Sequence, residues 1–224
     1  FLVGYDRYLE LVADIGGRAE RRAYGLGQEA DRVRDALTLA GDGHRVALVC
    51  SGDAGIYALA SLAFETLESG ADPVWRGAAI SVVPGISAMQ AAAARAGAPL
   101  GHDFCAISLS DLMTPRDVIL NRLANAAAGD FVTALYNPQS MRRRDLLVQA
   151  KDIFLERRPE TTPVVVARNL GRTDETVAVT TLEELNTDAV DMLTLIIVGN
   201  SETRILNLAD GPRVFTPRGY GTAP

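Results

Sequence analysis

The chain has 224 residues, 48% of them hydrophobic and 22% charged, with 28 acidic against 22 basic side chains and a net charge of −6. This usage fits one large or two small globular domains and excludes disordered and collagen-like chains. The acidic balance argues against a nucleic-acid binder, whose affinity comes largely from neutralising phosphates.

Lys151 is the only lysine, so the other 21 basic residues are arginines. There is no Gly-Lys-Ser/Thr phosphate loop, and a Schiff-base lysine would have to be Lys151, in a polar helical stretch. Cys50 and Cys105 lie far apart in apolar runs and read as free, buried thiols. With His44 and His102 as the only histidines, no zinc-ligand spacing exists and no metal is expected. No apolar run approaches the roughly 20 residues needed to span a bilayer, and no signal segment opens the chain. A soluble cytoplasmic protein is expected, with partners that are neither nucleic acid nor membrane.

Phe1 to Tyr5 reads as the end of a strand with no methionine before it. Helices are predicted at Asp6–Ile15 and Gln28–Ala40. Between them, Gly25-Leu26-Gly27-Gln28-Glu29-Ala30 matches a dinucleotide-binding pattern, which works only when a strand feeds the glycine turn. Residues Arg18 to Tyr24 are too polar for a buried strand, so the segment is read as a helix entry. The apolar run Arg45–Cys50 predicts a parallel strand covered on both faces. The loop Ser51-Gly52-Asp53-Ala54-Gly55 follows it, and then a helix over Ile56–Leu67. Ala79–Val83 predicts a second strand, Pro84-Gly85 a turn and Ser87 the cap of a helix ending near Ala96.

Gly97-Ala98-Pro99-Leu100-Gly101 breaks the rhythm and marks a junction, giving domains 1–97 and 98–224. Strands are then predicted at Phe104–Leu109, Phe131–Tyr136, Pro163–Ala167, Thr176–Thr180 and Leu193–Val198. Helices are predicted at Pro115–Ala127 and Arg143–Arg157, with a short one at Leu182–Leu185. The expected fold is α/β in two tandem domains, the first sheet mainly parallel and the second mixed.

In open parallel sheets ligands settle beyond the carboxyl ends of strands. Asp53, in a glycine-rich loop at such an end, can accept hydrogen bonds from a ligand or merely cap the following helix; both readings stand. Val83-Pro84-Gly85-Ile86-Ser87-Ala88 is a second loop of this kind, with an ordinary tight turn as its alternative. Tyr136-Asn137-Pro138 and Ala167-Arg168-Asn169-Leu170-Gly171-Arg172 end two further strands with polar groups. Arg142-Arg143-Arg144 adds a basic cluster that can equally be a solvated helix start.

In this order, these segments resemble the tetrapyrrole methylase family. The likeness also runs through Val3-Gly4-Tyr5-Asp6-Arg7-Tyr8-Leu9 and Ile196-Ile197-Val198-Gly199-Asn200, and covers nearly the whole chain. The stretch from His102 to Asp111 points to the branch acting at C17 of the macrocycle. The resemblance implies S-adenosylmethionine as cofactor, with S-adenosylhomocysteine as product, held between two α/β domains of a homodimer. It implies methyl transfer to C17 of precorrin-3B, or its cobalt-containing counterpart, with ring contraction in cobalamin biosynthesis. Carried over by position, Gly52, Asp53, Ile56, Tyr57, Ser87, Ala88, Tyr136, Asn137, Leu170 and Thr194 would meet the cofactor. Asp103, Ser108 and Asp111 are candidates for acid/base help. Arg116, Arg142, Arg143 and Arg168 are candidates for pairing with substrate carboxylates at short range. A sister methylase acting at C11 or C20, and a non-catalytic cofactor- or corrinoid-binding module, remain alternatives. Members of the family open with a strand, a Gly-x-Gly-Pro-Gly loop and a helix, all of which would precede Phe1. Without that unit, weak cofactor binding and a sheet with an unpaired edge or a missing central strand are expected.

Overall fold

The computed structural model describes residues 1–70, 72–139 and 145–220. The chain divides into two compact units, Phe1–Ser87 and Ala88–Pro224.

The first unit holds a three-stranded, wholly parallel sheet of β1 (Leu2–Tyr5), β2 (Arg21–Tyr24) and β3 (Ala47–Val49) in the order β2-β1-β3. Helices α1 (Asp6–Leu11), α2 (Glu29–Gly41) and α3 (Leu59–Ser69) connect and cover it. The central strand buries Val3 completely, while α2 turns Val33, Ala36, Leu37 and Leu39 inward. The polar stretch before Gly25 does form a strand, contrary to the sequence expectation, and it is an edge strand. Its arginines are occupied rather than buried bare. The Arg21 guanidinium donates to the carbonyls of Leu9, Val12, Ala13 and Ile15 at 2.7–3.0 Å, closing off the end of α1. Arg22 pairs with Asp35 at 2.6 Å.

A second correction concerns Ala79–Val83. The segment enters no sheet. Among the described residues it makes no ladder to another strand, and β3 pairs only with β1. A cavity of about 450 Å³ lies between Val46–Cys50 and Ala79–Gly85, bounded also by Val33, Leu37, Leu59 and Ala63 from α2 and α3. The predicted strand has the right residues; what it lacks is a neighbour to accept and donate backbone hydrogen bonds.

The second unit is built on a mixed five-stranded sheet in the order β5-β6-β9-β7-β8. These strands span Phe104–Ser108 (β5), Val132–Tyr136 (β6), Pro163–Arg168 (β7), Thr176–Thr181 (β8) and Thr194–Val198 (β9). Alternation along the central strands feeds two cores, as a pleated sheet covered on both faces requires. Leu135, Val164, Ile196 and Val198 meet α5 (Arg116–Ala128) and α6 (Asp145–Leu155) on one face. Val132, Ala134, Val165, Ala167, Leu195 and Ile197 meet α4 (Ala88–Ala96) on the other. A smaller sheet, β10 (Arg204–Leu208), β11 (Gly211–Phe215) and β4 (Gly97–Ala98), packs Val214 into that second core.

Two expectations here need correction. The predicted helix at Leu182–Leu185 is a turn that buries both leucines, followed by a 3₁₀ segment at Thr187–Ala189. Four residues cannot offset the cost of nucleating a helix. The hairpin β10–β11 was not expected, because every residue of β10 is exposed and no inward-facing alternation marks it.

Candidate functional site

In the first unit, two loops are joined by one carboxylate. Asp53 accepts from the Gly55 amide at 2.8 Å and from the Gly85 amide at 2.9 Å, the second contact bridging 32 residues. Helix α3 starts after Ala58 and receives no side-chain cap, so Asp53 ties loop to loop rather than capping the helix. Amide hydrogen bonds from Gly85 and Gly55 hold its carboxyl below the ordinary carboxylate range. Gly52 has φ +74°, which favours glycine, and its carbonyl faces Gly85, where a Cβ would collide with it. Tyr57 follows at φ +52° with its side chain half exposed, and this left-handed residue is why α3 begins later than the sequence predicts. Ser87 is 2% exposed and lies against Gly52, 3.7 Å from the position a Cβ would take there. Gly52, Asp53, Ile56, Tyr57 and Ser87 thus belong to one local cradle of backbone.

In the second unit, the carboxyl ends of β5, β6 and β7 and the start of β9 share one sheet edge, since β9 runs antiparallel to β6 and β7 and pairs Thr194 with Arg168. The Met89 amide donates to the Tyr136 hydroxyl at 3.1 Å, fixing the start of α4 over the end of β6. Ala88, Tyr136 and Leu170 pack on the same apolar cluster. Asn137, at φ +50°, donates from Nδ2 to Ser108 Oγ at 3.0 Å, linking the loops after β5 and β6. Thr194 is 5% exposed and donates to Asp191 at 2.8 Å.

The acid/base candidates separate. Ser108 ends β5 at this edge and Asp111 follows it. Asp103 precedes β5 at the opposite end, 83% exposed beside His102. The arginines separate too. Arg168 Nε donates to Asp191 at 2.8 Å and its Nη1 lies 3.6 Å from Asp174. Donating this bond to the Asp191 carboxylate raises the Arg168 pKa. Arg116 pairs with Asp145, whose carboxyl is held low by that hydrogen bond. Arg142 and Arg143 lie outside the described residues.

Sequence reasoning missed several residues that shape this edge. Asp191 joins Arg168 to Thr194, and although burial pushes its carboxyl up, the Arg168 and Thr194 hydrogen bonds bring it below the ordinary value. Glu175 accepts from the Gly171 amide at 2.6 Å and from Arg95 of α4 at 2.7 Å, clamping the loop that carries Leu170. Asn169, at φ +58° and 7% exposed, bonds Asp174 across the same loop. Gln139 is 3% exposed, and among the described residues its Oε1 has no hydrogen-bond partner, an expensive state for a buried acceptor. An Asn-Leu-Gly sequence after a strand signals such a turn; Asp191 carries no local signal.

Comparison with known proteins fixes the context. Over 221 residues the chain is 44% identical to a precorrin-3B C(17)-methyltransferase from Sinorhizobium sp, covering 98% of this chain and 86% of that protein. It is 42% identical to a probable cobalt-factor III C(17)-methyltransferase of Salmonella typhimurium, covering 98% and 88%. The crystal structure of the methyltransferase CobJ superposes with a TM-score of 0.86 at 41% identity, covering 96% of this chain and 87% of that one. Residues 1–186 match the Tetrapyrrole (Corrin/Porphyrin) Methylases. The chain belongs to the tetrapyrrole methylase family.

Proposed function

We propose that this protein transfers a methyl group from S-adenosylmethionine to C17 of precorrin-3B or its cobalt-containing counterpart, with ring contraction, in cobalamin biosynthesis. The observation that carries the reading is the backbone cradle in which Asp53 binds the Gly55 and Gly85 amides beside an open Gly52. Relatives named for C17 methylation match over nearly the whole chain.

The residues present fit an adenosyl thioether. In the first unit, Gly52 lets backbone approach a ligand closely, Asp53 offers a carboxylate for hydroxyl or amino groups, and Ile56 and Tyr57 offer apolar surface. Ser87 closes that set. The second unit offers Ala88, Tyr136, Asn137, Leu170 and Thr194 along one sheet edge. When bound, the cofactor supplies a methyl group already activated on a sulfonium. The protein therefore needs no nucleophile of its own; it aligns the acceptor carbon and keeps water away. Ser108, held by Asn137, and Asp111 stand where proton transfer during contraction is wanted, whereas Asp103 stands at the far end of β5. Arg116 is assigned to the substrate carboxylates, as are Arg142 and Arg143, which lie outside the described residues, and short-range pairing explains how an acidic protein takes an acidic ligand. The two cysteines are free thiols, in keeping with a cytoplasmic setting, and no helix among the described residues is long and apolar enough to cross a membrane.

The protein pairs as a homodimer in this reading. The outer edge of β10 supports it: the strand lies at the end of its sheet with Ile205, Leu206 and Leu208 exposed.

The test is turnover. Incubation with S-adenosylmethionine and precorrin-3B or cobalt-factor III, read by mass and regiochemistry, is expected to give a C17-methylated, contracted product. A C11 or C20 product means a sister methylase. Calorimetric binding of S-adenosylhomocysteine without any methylated product means a binding module.

A further inference from the structure

The loop between β5 and α5 carries two large apolar side chains that its own fold does not use. Leu112 is 81% exposed and Met113 is 89% exposed, side by side at the tip. Among the described residues, neither belongs to an apolar cluster of the second unit. The shape of the loop is set by other groups: Leu109 is buried and its amide donates to the Tyr136 carbonyl at 2.8 Å, the Ser110 amide donates to Ser108 Oγ at 3.3 Å, and Pro115 leads into α5. The tip is therefore anchored at its foot and bare at its end. It rises from the same sheet edge as Ser108, Tyr136 and Asn137, and three residues past Met113 the first residue of α5, Arg116, forms an ion pair with Asp145, the first residue of α6.

A pair of exposed aliphatic side chains costs solubility unless something covers it. The neighbouring chemistry selects what. An apolar tip bordered by charged groups matches a ligand with a flat, apolar body and a carboxylate periphery, and methionine's flexible, polarisable thioether adapts well to a conjugated face. We propose that Leu112 and Met113 are specificity-determining residues that pack against the face of the tetrapyrrole macrocycle. This inference rests on the proposed methyltransferase reading, and it assigns these side chains to the acceptor rather than to the cofactor.

The test compares the full protein with the double variant Leu112→Ser/Met113→Ser, which leaves both cores intact. Three quantities are read: S-adenosylhomocysteine affinity by calorimetry, KM for the corrinoid acceptor, and affinity for an octacarboxylate porphyrin by its visible absorbance. Porphyrin affinity is expected to fall and KM to rise, each about tenfold, the size expected for losing apolar contact from two side chains. S-adenosylhomocysteine affinity stays within twofold. An unchanged KM and porphyrin affinity overturns the proposal, as does a parallel loss of S-adenosylhomocysteine. A shift from dimer to monomer with KM intact also overturns it, because the tip is then a subunit contact. If the unaltered protein binds the porphyrin but methylates no corrinoid, the functional reading fails by itself, and the variant's porphyrin affinity still decides the role of the tip.

Discussion

The Gly85 amide donates to one carboxylate oxygen of Asp53 while the Gly55 amide donates to the other, so two loops more than 30 residues apart behave as one piece. A carboxylate accepts both bonds; a carboxamide in the same place offers one acceptor oxygen and an N–H that faces an N–H. Asp53→Asn is therefore expected to separate the loops and weaken S-adenosylhomocysteine binding by roughly tenfold or more, measured by calorimetry. The pH dependence has a definite sign. Because the folded state holds this carboxyl below its ordinary value, its contribution is complete above the ordinary carboxylate pKa, near about 4, and is lost as the pH falls through the lowered value. Cofactor affinity in the unaltered protein should thus hold at pH 5 and decline below about pH 4, a decline absent from the variant.

The sequence offers Arg168 to the substrate carboxylates, and the structure pairs its guanidinium with Asp191 and Asp174. Arg168 sits at the end of β7 opposite Thr194, and Asp191 joins the two by accepting from both. A guanidinium so occupied is a brace for the β7–β9 end. Arg168→Ala is expected to lower the melting temperature by roughly 2–4 °C, the scale for one modest interaction in a domain of this size. It should weaken S-adenosylhomocysteine and tetrapyrrole binding together. Arg116→Ala, by contrast, is expected to weaken tetrapyrrole binding and spare the cofactor. Parallel titrations of both ligands against both variants check the pair. A loss of tetrapyrrole alone in Arg168→Ala would return that residue to the substrate rim.

Much of this arrangement was readable in the sequence, and the exceptions share a cause. Apolar runs such as Pro163–Ala167 and Leu193–Val198 announced the central strands because both faces are buried, and Thr194, at the very start of β9, is the one polar residue in them. Arg21–Tyr24 hid its strand because edge position and side-chain hydrogen bonding to the turns after α1 let arginines stand where a buried strand would need valine. The hairpin β10–β11 carried a turn signal in Asp210-Gly211, with Gly211 at φ +117°, but its first strand lacks a buried face. At the candidate site the glycine loops could be named from spacing. The braces Asp191 and Glu175 could not, since each acts on residues that only folding brings near.

Ser108 and Asp103 bracket β5 and give a clean contrast. Ser108 Oγ accepts from Asn137 and from the Ser110 amide at the carboxyl edge, while Asp103 lies at the other end beside His102. Loss of a positioned proton-transfer group typically costs 10²- to 10⁴-fold in rate. Ser108→Ala is expected to reduce single-turnover formation of the C17-methylated, contracted product by about a hundredfold while leaving S-adenosylhomocysteine affinity within threefold. Asp103→Asn is expected to stay within twofold on both measures. Equal rates for the two variants would remove Ser108 from the chemistry.

The cavity in the first unit makes the last prediction. Ala79–Val83 has strand-forming residues and β3 has one paired side, yet no ladder joins them and about 450 Å³ of apolar-lined space lies between. Backbone amides without partners exchange with solvent rapidly, whereas paired strands exchange through costly opening. Hydrogen exchange of these 224 residues is therefore expected to show Ala79–Val83 unprotected and β6, β7 and β9 strongly protected. Protection at 79–83 would show that these residues already have a partner and would overturn the reading of this segment as unpaired.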